Sequence, residues 1–184
     1  MPGTENRSLK IENIVASGSI ADSIDLAEVS SRIENCMPNR KKFPGAVFRL
    51  ERPKAVCLVF SSGKIVLTGL RDKKELDEAI SQVVSAMKGA GVRVYAHPVV
   101  TITNIVCSTD AGRTINLAKL IITLNMENIE YEPEQFPGLV YRLKDPKMVA
   151  LLFSSGKIIL TGGKNLDEIR RGADLLEQTI GMVS

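Results

Sequence analysis

The chain has 184 residues, 44% of them hydrophobic and 24% charged, with a formal net charge of +3. That size supports one ordinary domain or two small ones with a core that needs no disulfides, and that balance excludes a disordered chain. Nowhere do apolar residues run for the roughly 18 positions of a membrane span, and a charge so close to neutral does not by itself argue for nucleic acid. Lys and Arg outnumber Asp and Glu by 14 to 11 over residues 1–92 and match them at 10 to 10 over 93–184, so the basic excess lies in the first half.

Residues 1–9 are polar, carry Pro2 and Gly3, and read as a flexible tail rather than a targeting peptide. A β-rich stretch follows at 10–17, then a helix from Asp25 with Leu26, Val29 and Ile33 at helical spacing. Three strands are expected at 46–50, 55–60 and 64–68, the last two joined by the hairpin-type turn Ser61-Ser62-Gly63. A long helix closes the unit, with Leu76, Ile80, Val83, Val84 and Met87 on one stripe and Asp72 with Glu75 as its capping pair. After a linker at 93–98 the pattern returns over 99–184, with Asn165 and Glu168 at the cap and Ile169, Ala173, Leu176 and Ile180 on the stripe. The order is β, α, β, β, β, α, twice.

The return is literal. Phe43-Pro-Gly-Ala-Val-Phe-Arg-Leu through Ser-Ser-Gly-Lys-Ile-Val-Leu-Thr-Gly69 recurs as Phe136-Pro-Gly-Leu-Val-Tyr-Arg-Leu through Ser-Ser-Gly-Lys-Ile-Ile-Leu-Thr-Gly162, and 19 of the 27 positions are identical, too many for chance composition. Ile11-Glu-Asn-Ile-Val likewise echoes in Ile102-Thr-Asn-Ile-Val. Two copies of this length imply an internal pseudo-dyad, since solenoids need three or more shorter repeats.

The strands are apolar at both parities, as in Val56-Cys-Leu-Val-Phe60 and Val149-Ala-Leu-Leu-Phe153. Two helical stripes per unit cover one face of a sheet, whereas an antiparallel sheet facing water should alternate. Either the two units pack sheet against sheet, or the second face is a binding surface. Counting by two along the strands puts Asn13 with Val15, Leu58 with Phe60, and Lys64 with Val66 and Thr68 on that face. The second unit supplies Asn104 with Val106, Leu151 with Phe153, and Lys157 with Ile159 and Thr161. Small donors on an apolar floor suit a minor groove, which offers only acceptors at A·T pairs and adds an amino group at G·C pairs. Phe43, Phe60, Phe136 and Phe153 read either as core or as wedges between base steps. Recurrence of Arg49/Arg142, Lys64/Lys157 and Arg71/Lys164 around one face reads as phosphate anchoring.

With Asn-Ile-Val at 13–15 and 104–106, Glu130-Tyr-Glu-Pro-Glu-Gln-Phe-Pro-Gly138, and Phe-Ser-Ser-Gly-Lys with Leu-Thr-Gly in both units, the chain resembles the TATA-box-binding protein family over almost its whole length. The resemblance implies an α+β saddle, one curved antiparallel sheet of ten strands with four helices on the convex side, and no cofactor. It implies base contacts from Asn13, Val15, Val66, Thr68, Asn104, Val106, Ile159 and Thr161. Phe43, Phe60, Phe136 and Phe153 would kink the duplex, with Leu58 and Leu151 as buttresses. Arg49, Lys64, Arg71, Arg142, Lys157 and Lys164 would meet the backbone. Double-stranded A/T-rich promoter DNA is the implied ligand, bound by a monomer that self-associates without it. Transcription factor B would dock at Glu132, Glu134 and Gln135, and RNA polymerase would join indirectly. The short tail resembles archaeal members, implying the cytoplasm and its nucleoid, in place of the nucleus of eukaryotic ones.

Two features depart from the family pattern. Pro38-Asn-Arg-Lys-Lys precedes Phe43 where Glu130-Tyr-Glu-Pro-Glu-Gln precedes Phe136, a basic loop against an acidic one. Leu70 and its counterpart Gly163 also differ from the usual Ala. An enzyme is argued against: the one histidine, His97, sits before Pro98 with no Cys or carboxylate arrangement repeated around it. Ser-Ser-Gly-Lys lacks the spacing of a phosphate loop and leads into a strand. The three cysteines, Cys36, Cys57 and Cys107, lack paired spacing and read as buried free thiols. The alternative to DNA is a protein-interaction scaffold, or a divergent paralogue, whose apolar face takes a polypeptide.

Overall fold

The computed structural model describes residues 8–39, 41, 44–124 and 126–183. Residues 1–7 of the expected tail, and Phe43, lie outside them. The first repeat runs β1 (Lys10–Ser19), α1 (Leu26–Arg32), β2 (Cys36–Pro38), β3 (Gly45–Glu51), β4 (Lys54–Phe60), β5 (Lys64–Leu70) and α2 (Lys73–Gly89). The second runs β6 (Thr101–Asp110), α3 (Leu117–Thr123), a 3-10 turn at Met126–Asn128, β7 (Ile129–Glu130), β8 (Leu139–Lys144), β9 (Lys147–Leu152), β10 (Lys157–Gly163) and α4 (Leu166–Gly181). Where strand patterning alone yields three strands between the helices of each unit, the structure has four. The additions, β2 and β7, are three and two residues long, too short for a period of two to register.

By contacts the chain divides into two units, Asn13–Thr103 and Asn104–Ser184 with the residues up to Glu12, so the division falls inside β1 and β6. In the first repeat the strands are ordered β2-β3-β4-β5-β1, and in the second β6-β10-β9-β8-β7. The pairs β1/β5, β2/β3, β3/β4 and β4/β5 are antiparallel, as are their counterparts in the second repeat.

Each long helix starts where its cap says it should. Asp72 Oδ1 accepts the Glu75 N–H at 2.7 Å while the Glu75 carboxylate accepts the Arg71 N–H at 2.8 Å; Asn165 and Glu168 repeat this at 2.9 and 3.0 Å with the Lys164 N–H. These bonds satisfy donors that the first helical turn leaves free. From α2 the side chains of Leu76, Ala79, Val83 and Met87 are buried, from α4 those of Ile169, Leu176 and Ile180. These helices pack on β5 and β10 respectively.

The Ser-Ser-Gly turns have a structural reason beyond the hairpin. Ile20 and Ile24 donate their N–H groups to the carbonyls of Gly63 and Ser61, both at 2.9 Å, which brings the loop after β1 against the turn. A Cβ on Gly63, already at φ +89°, would lie 1.8 Å from the Ala21 carbonyl oxygen, so only glycine fits. Gly156 meets the Arg113 carbonyl in the same way.

All three cysteines are buried free thiols, as expected. Burial raises each pKa, that of Cys107 to about 11 with the Glu12 carboxylate adding to the effect. The Leu70/Gly163 departure also resolves. Leu70 is fully buried in the first repeat. At Gly163 an added Cβ would fall 2.6 Å from Ile169 Cγ1 and 3.4 Å from Met148 Cε. Met148 stands where the first repeat has Ala55, so the second repeat fills from β9 the space that the first fills from β5.

Candidate nucleic-acid interface

The helices cover one parity of every long strand. Ala55, Cys57 and Val59 of β4, Ile65 and Leu67 of β5, and Ile14 and Ala16 of β1 are all 5% exposed or less. Val56, Leu58, Phe60, Val66, Thr68, Asn13 and Val15, at the other parity, remain half-exposed. The second repeat divides identically: Ile105, Cys107, Ala150, Leu152, Ile158 and Leu160 are buried, while Asn104, Val106, Val149, Leu151, Phe153, Ile159 and Thr161 are half-exposed. The sheet of each repeat therefore keeps an apolar face open. Every described side chain assigned to the floor from the sequence lies on it.

Three groups of neighbours were missed. Val56 and Val149 lie one step of two before Leu58 and Leu151; Ser17 and Ser108 lie one step beyond Val15 and Val106. Counting further along the same strands finds both. Val47 and Val140 come onto the face through pairing, opposite Leu58 and Leu151, which no single-strand count supplies.

Where β1 pairs with β5, and again where β6 pairs with β10, sits an Asn–Thr pair built by a β-bulge. Ile14 pairs with Leu70 but Ala16 with Leu67, so Thr68 and Gly69 stand opposite Val15 alone. The extra residue is accommodated by Gly69 at φ +94°, and its N–H turns out of the ladder to donate to Asn13 Oδ1 at 2.7 Å. That bond determines which way the amide points: Asn13 Nδ2 faces Thr68 and donates to its Oγ1 at 3.1 Å. The second repeat copies this, with Thr161 and Gly162 opposite Val106, the Gly162 N–H on Asn104 Oδ1 at 2.7 Å, and Asn104 Nδ2 donating to Thr161 Oγ1 at 3.1 Å. The Thr68 and Thr161 hydroxyls in turn donate to Asn13 Oδ1 and Asn104 Oδ1 at 3.4 Å, so each pair keeps the second amide N–H of its asparagine for a ligand.

At the end of the second face the rings of Phe136 and Phe153 meet edge to face, 5.7 Å between centroids. Gly138 makes this packing available, since a Cβ there would lie 2.6 Å from Phe136 Cε1 and 3.0 Å from Phe153 Cε1. Phe136 stays 38% exposed, so the pair is neither core nor fully solvated. Phe60 is half-exposed at the corresponding place in the first repeat.

Arg49, Lys64, Arg71, Lys157 and Lys164 are exposed. So is Arg142, but its Nη2 lies 3.5 Å from Glu130 Oε1, a pairing the sequence reading missed. In the loop before β8, Glu132, Glu134 and Gln135 are exposed, and the Glu132 carbonyl accepts the N–H groups of Gln135 and Phe136 at 2.9 Å. Among the described residues no three His, Cys, Asp or Glu side chains converge on a metal position.

Comparison with known proteins agrees with this arrangement. The family model for "Transcription factor TFIID (or TATA-binding protein, TBP)" matches residues 8–90 and again 99–181. TATA-box-binding protein 1 of Methanosarcina acetivorans is 44% identical over 94% of this chain and 94% of its own length. The TATA-box-binding protein of Archaeoglobus fulgidus is 44% identical over 97% of this chain and all of its own. The solved structure of Methanococcus jannaschii TBP superposes with a TM-score of 0.86 at 44% identity, covering 96% of this chain and 99% of that one.

Proposed function

The chain belongs to the TATA-binding protein family, a family of transcription factors and not of enzymes, and on that premise we propose that it binds and bends the minor groove of an A/T-rich promoter element. The observation that carries this reading is the pair of Asn–Thr clusters, Asn13 with Thr68 and Asn104 with Thr161, in which a bulge glycine N–H takes the amide oxygen and leaves an amide N–H to offer from an apolar floor. A minor groove at A·T pairs exposes only the adenine N3 and thymine O2 acceptors, so such a surface is satisfied there. A G·C pair adds a donor that finds no acceptor and loses its water. Val15, Val66, Val106 and Ile159 then form the floor.

In this reading Phe43, Phe60, Phe136 and Phe153, buttressed by Leu58 and Leu151, insert between base steps at the ends of the contact. Arg49, Lys64, Arg71, Arg142, Lys157 and Lys164 hold the phosphates. The acidic loop with Glu132, Glu134 and Gln135 takes the basic surface of transcription factor B, which brings in RNA polymerase, while the basic loop of the first repeat repels it. The setting is the cytoplasm of an archaeal cell, at the nucleoid.

A gel-shift with A/T-rich and G/C-rich duplexes over a salt series tests the core of the proposal. Preference for the A/T duplex with a negative log–log salt slope is expected. Equal binding to both would favour a polypeptide ligand for the apolar face.

A further inference from the structure

The two open faces match position for position, with Val66 for Ile159 the one change among the described floor residues named above. Faces so nearly identical give a duplex little means of telling one repeat from the other. The symmetry breaks at the edge strands instead. Met37 of β2 pairs with Val47, and Glu130 of β7 pairs with Val140 at the equivalent register. Glu130 reaches Arg142 at 3.5 Å. Among the described residues no carboxylate is within ion-pair distance of the counterpart Arg49, which lines an open hollow of about 220 Å³ with Asn35, Met37, Pro38, Asn39 and Val47.

We infer that Glu130 is a built-in counterion for Arg142: it competes with backbone phosphate for that guanidinium and leaves the first-repeat end as the stronger of the two phosphate grips. This rests on the duplex-binding reading above. An exposed ion pair contributes little to folding, so its consequence lies in what it withholds. While Arg142 stays on Glu130 it neutralises no phosphate and releases none of the counterions condensed on the duplex, and a displaced Glu130 carboxylate would be left beside the DNA anions. Arg49 meets neither obstacle. Met37 at the equivalent position supplies an uncharged side chain, so one substitution in each repeat exchanges the two situations.

The experiment is a fluorescence-anisotropy titration of the full chain on a palindromic A/T-rich duplex and a G/C-rich control, across a salt series. Glu130→Gln should tighten A/T binding about two- to fivefold, the worth of an exposed ion pair, and steepen the log–log salt slope by about 0.9, one additional phosphate contact. Met37→Glu should weaken binding and flatten the slope by a similar amount. Arg49→Met should cost more affinity than Arg142→Met. Glu130 and Met37 are well exposed, so the variants keep the fold, which the near-ultraviolet spectrum checks. If wild type prefers A/T but Glu130→Gln and Met37→Glu leave the slope unchanged, the counterion role is overturned and the duplex reading stands. If wild type does not distinguish the duplexes, both fall.

Discussion

At Asn104 the backbone decides what the side chain can offer. With Oδ1 held by the Gly162 N–H, the amide presents nitrogen toward Thr161 and outward. In the proposed contact Asn104→Ala removes an amide donor and Thr161→Ala the hydroxyl that positions it, and each should cost on the order of 1 to 3 kcal/mol in discrimination between A·T and G·C at the pairs it faces. Competition binding with single-pair changes measures this, and uniform loss over all duplexes would assign these residues to general affinity only. Gly163 argues a different point. Gly163→Leu alone overfills the space held by Ile169 and Met148 and should destabilise by about 1 to 3 kcal/mol. Adding Met148→Ala, which recreates the first-repeat combination of Leu70 and Ala55, should restore most of the loss in urea unfolding. No recovery in the double variant would mean the two repeats are not exchanging volume at this place.

Among the elements, the helices were the most legible. Caps and stripes are local, and α2 and α4 begin one residue after Asp72 and Asn165 as their sequences imply. Asp72→Ala strips the acceptor for the Glu75 N–H and should lower stability by about 1 kcal/mol, read from the urea midpoint, with Asp72→Asn largely sparing it. The strands were legible in number only where they are long. β2 and β7 exist because β3 and β8 offer them an edge, a property of pairing and not of the residues in 36–38 or 129–130. The bulges at Thr68-Gly69 and Thr161-Gly162 were not read from the sequence, and that each glycine hands its N–H to an asparagine on another strand emerges only from the register.

For the molecule as a whole, the open apolar faces dominate behaviour. In the absence of duplex, sedimentation velocity should show concentration-dependent association that an A/T-rich duplex reverses, because exposed apolar surface of this extent is removed from water by any available partner. A monomer at high concentration without DNA would contradict it. On the duplex, Phe136→Ala and Phe153→Ala should each reduce the bend angle in circular-permutation mobility more than they reduce affinity, since in the proposed reading the edge-to-face pair is a wedge between base steps and not part of the floor. An unchanged angle would remove the wedge role.

The residues alone determined the doubling, the capped helices, the parity of each long strand and the family, because repetition, caps and two-residue alternation are all written within a few consecutive positions. They left undecided whether the second apolar parity is covered by sheet-on-sheet packing or stays open, since both parities are greasy. Tertiary structure decided that, together with the direction of the Asn13 and Asn104 amides, the hold of Glu130 on Arg142 and the trade of Leu70 for Met148. Each of these depends on atoms brought together from separate strands, 55 positions apart for Asn13 and Thr68 and 57 for Asn104 and Thr161, and pairing at that range follows from strand register and a bulge that no local pattern encodes.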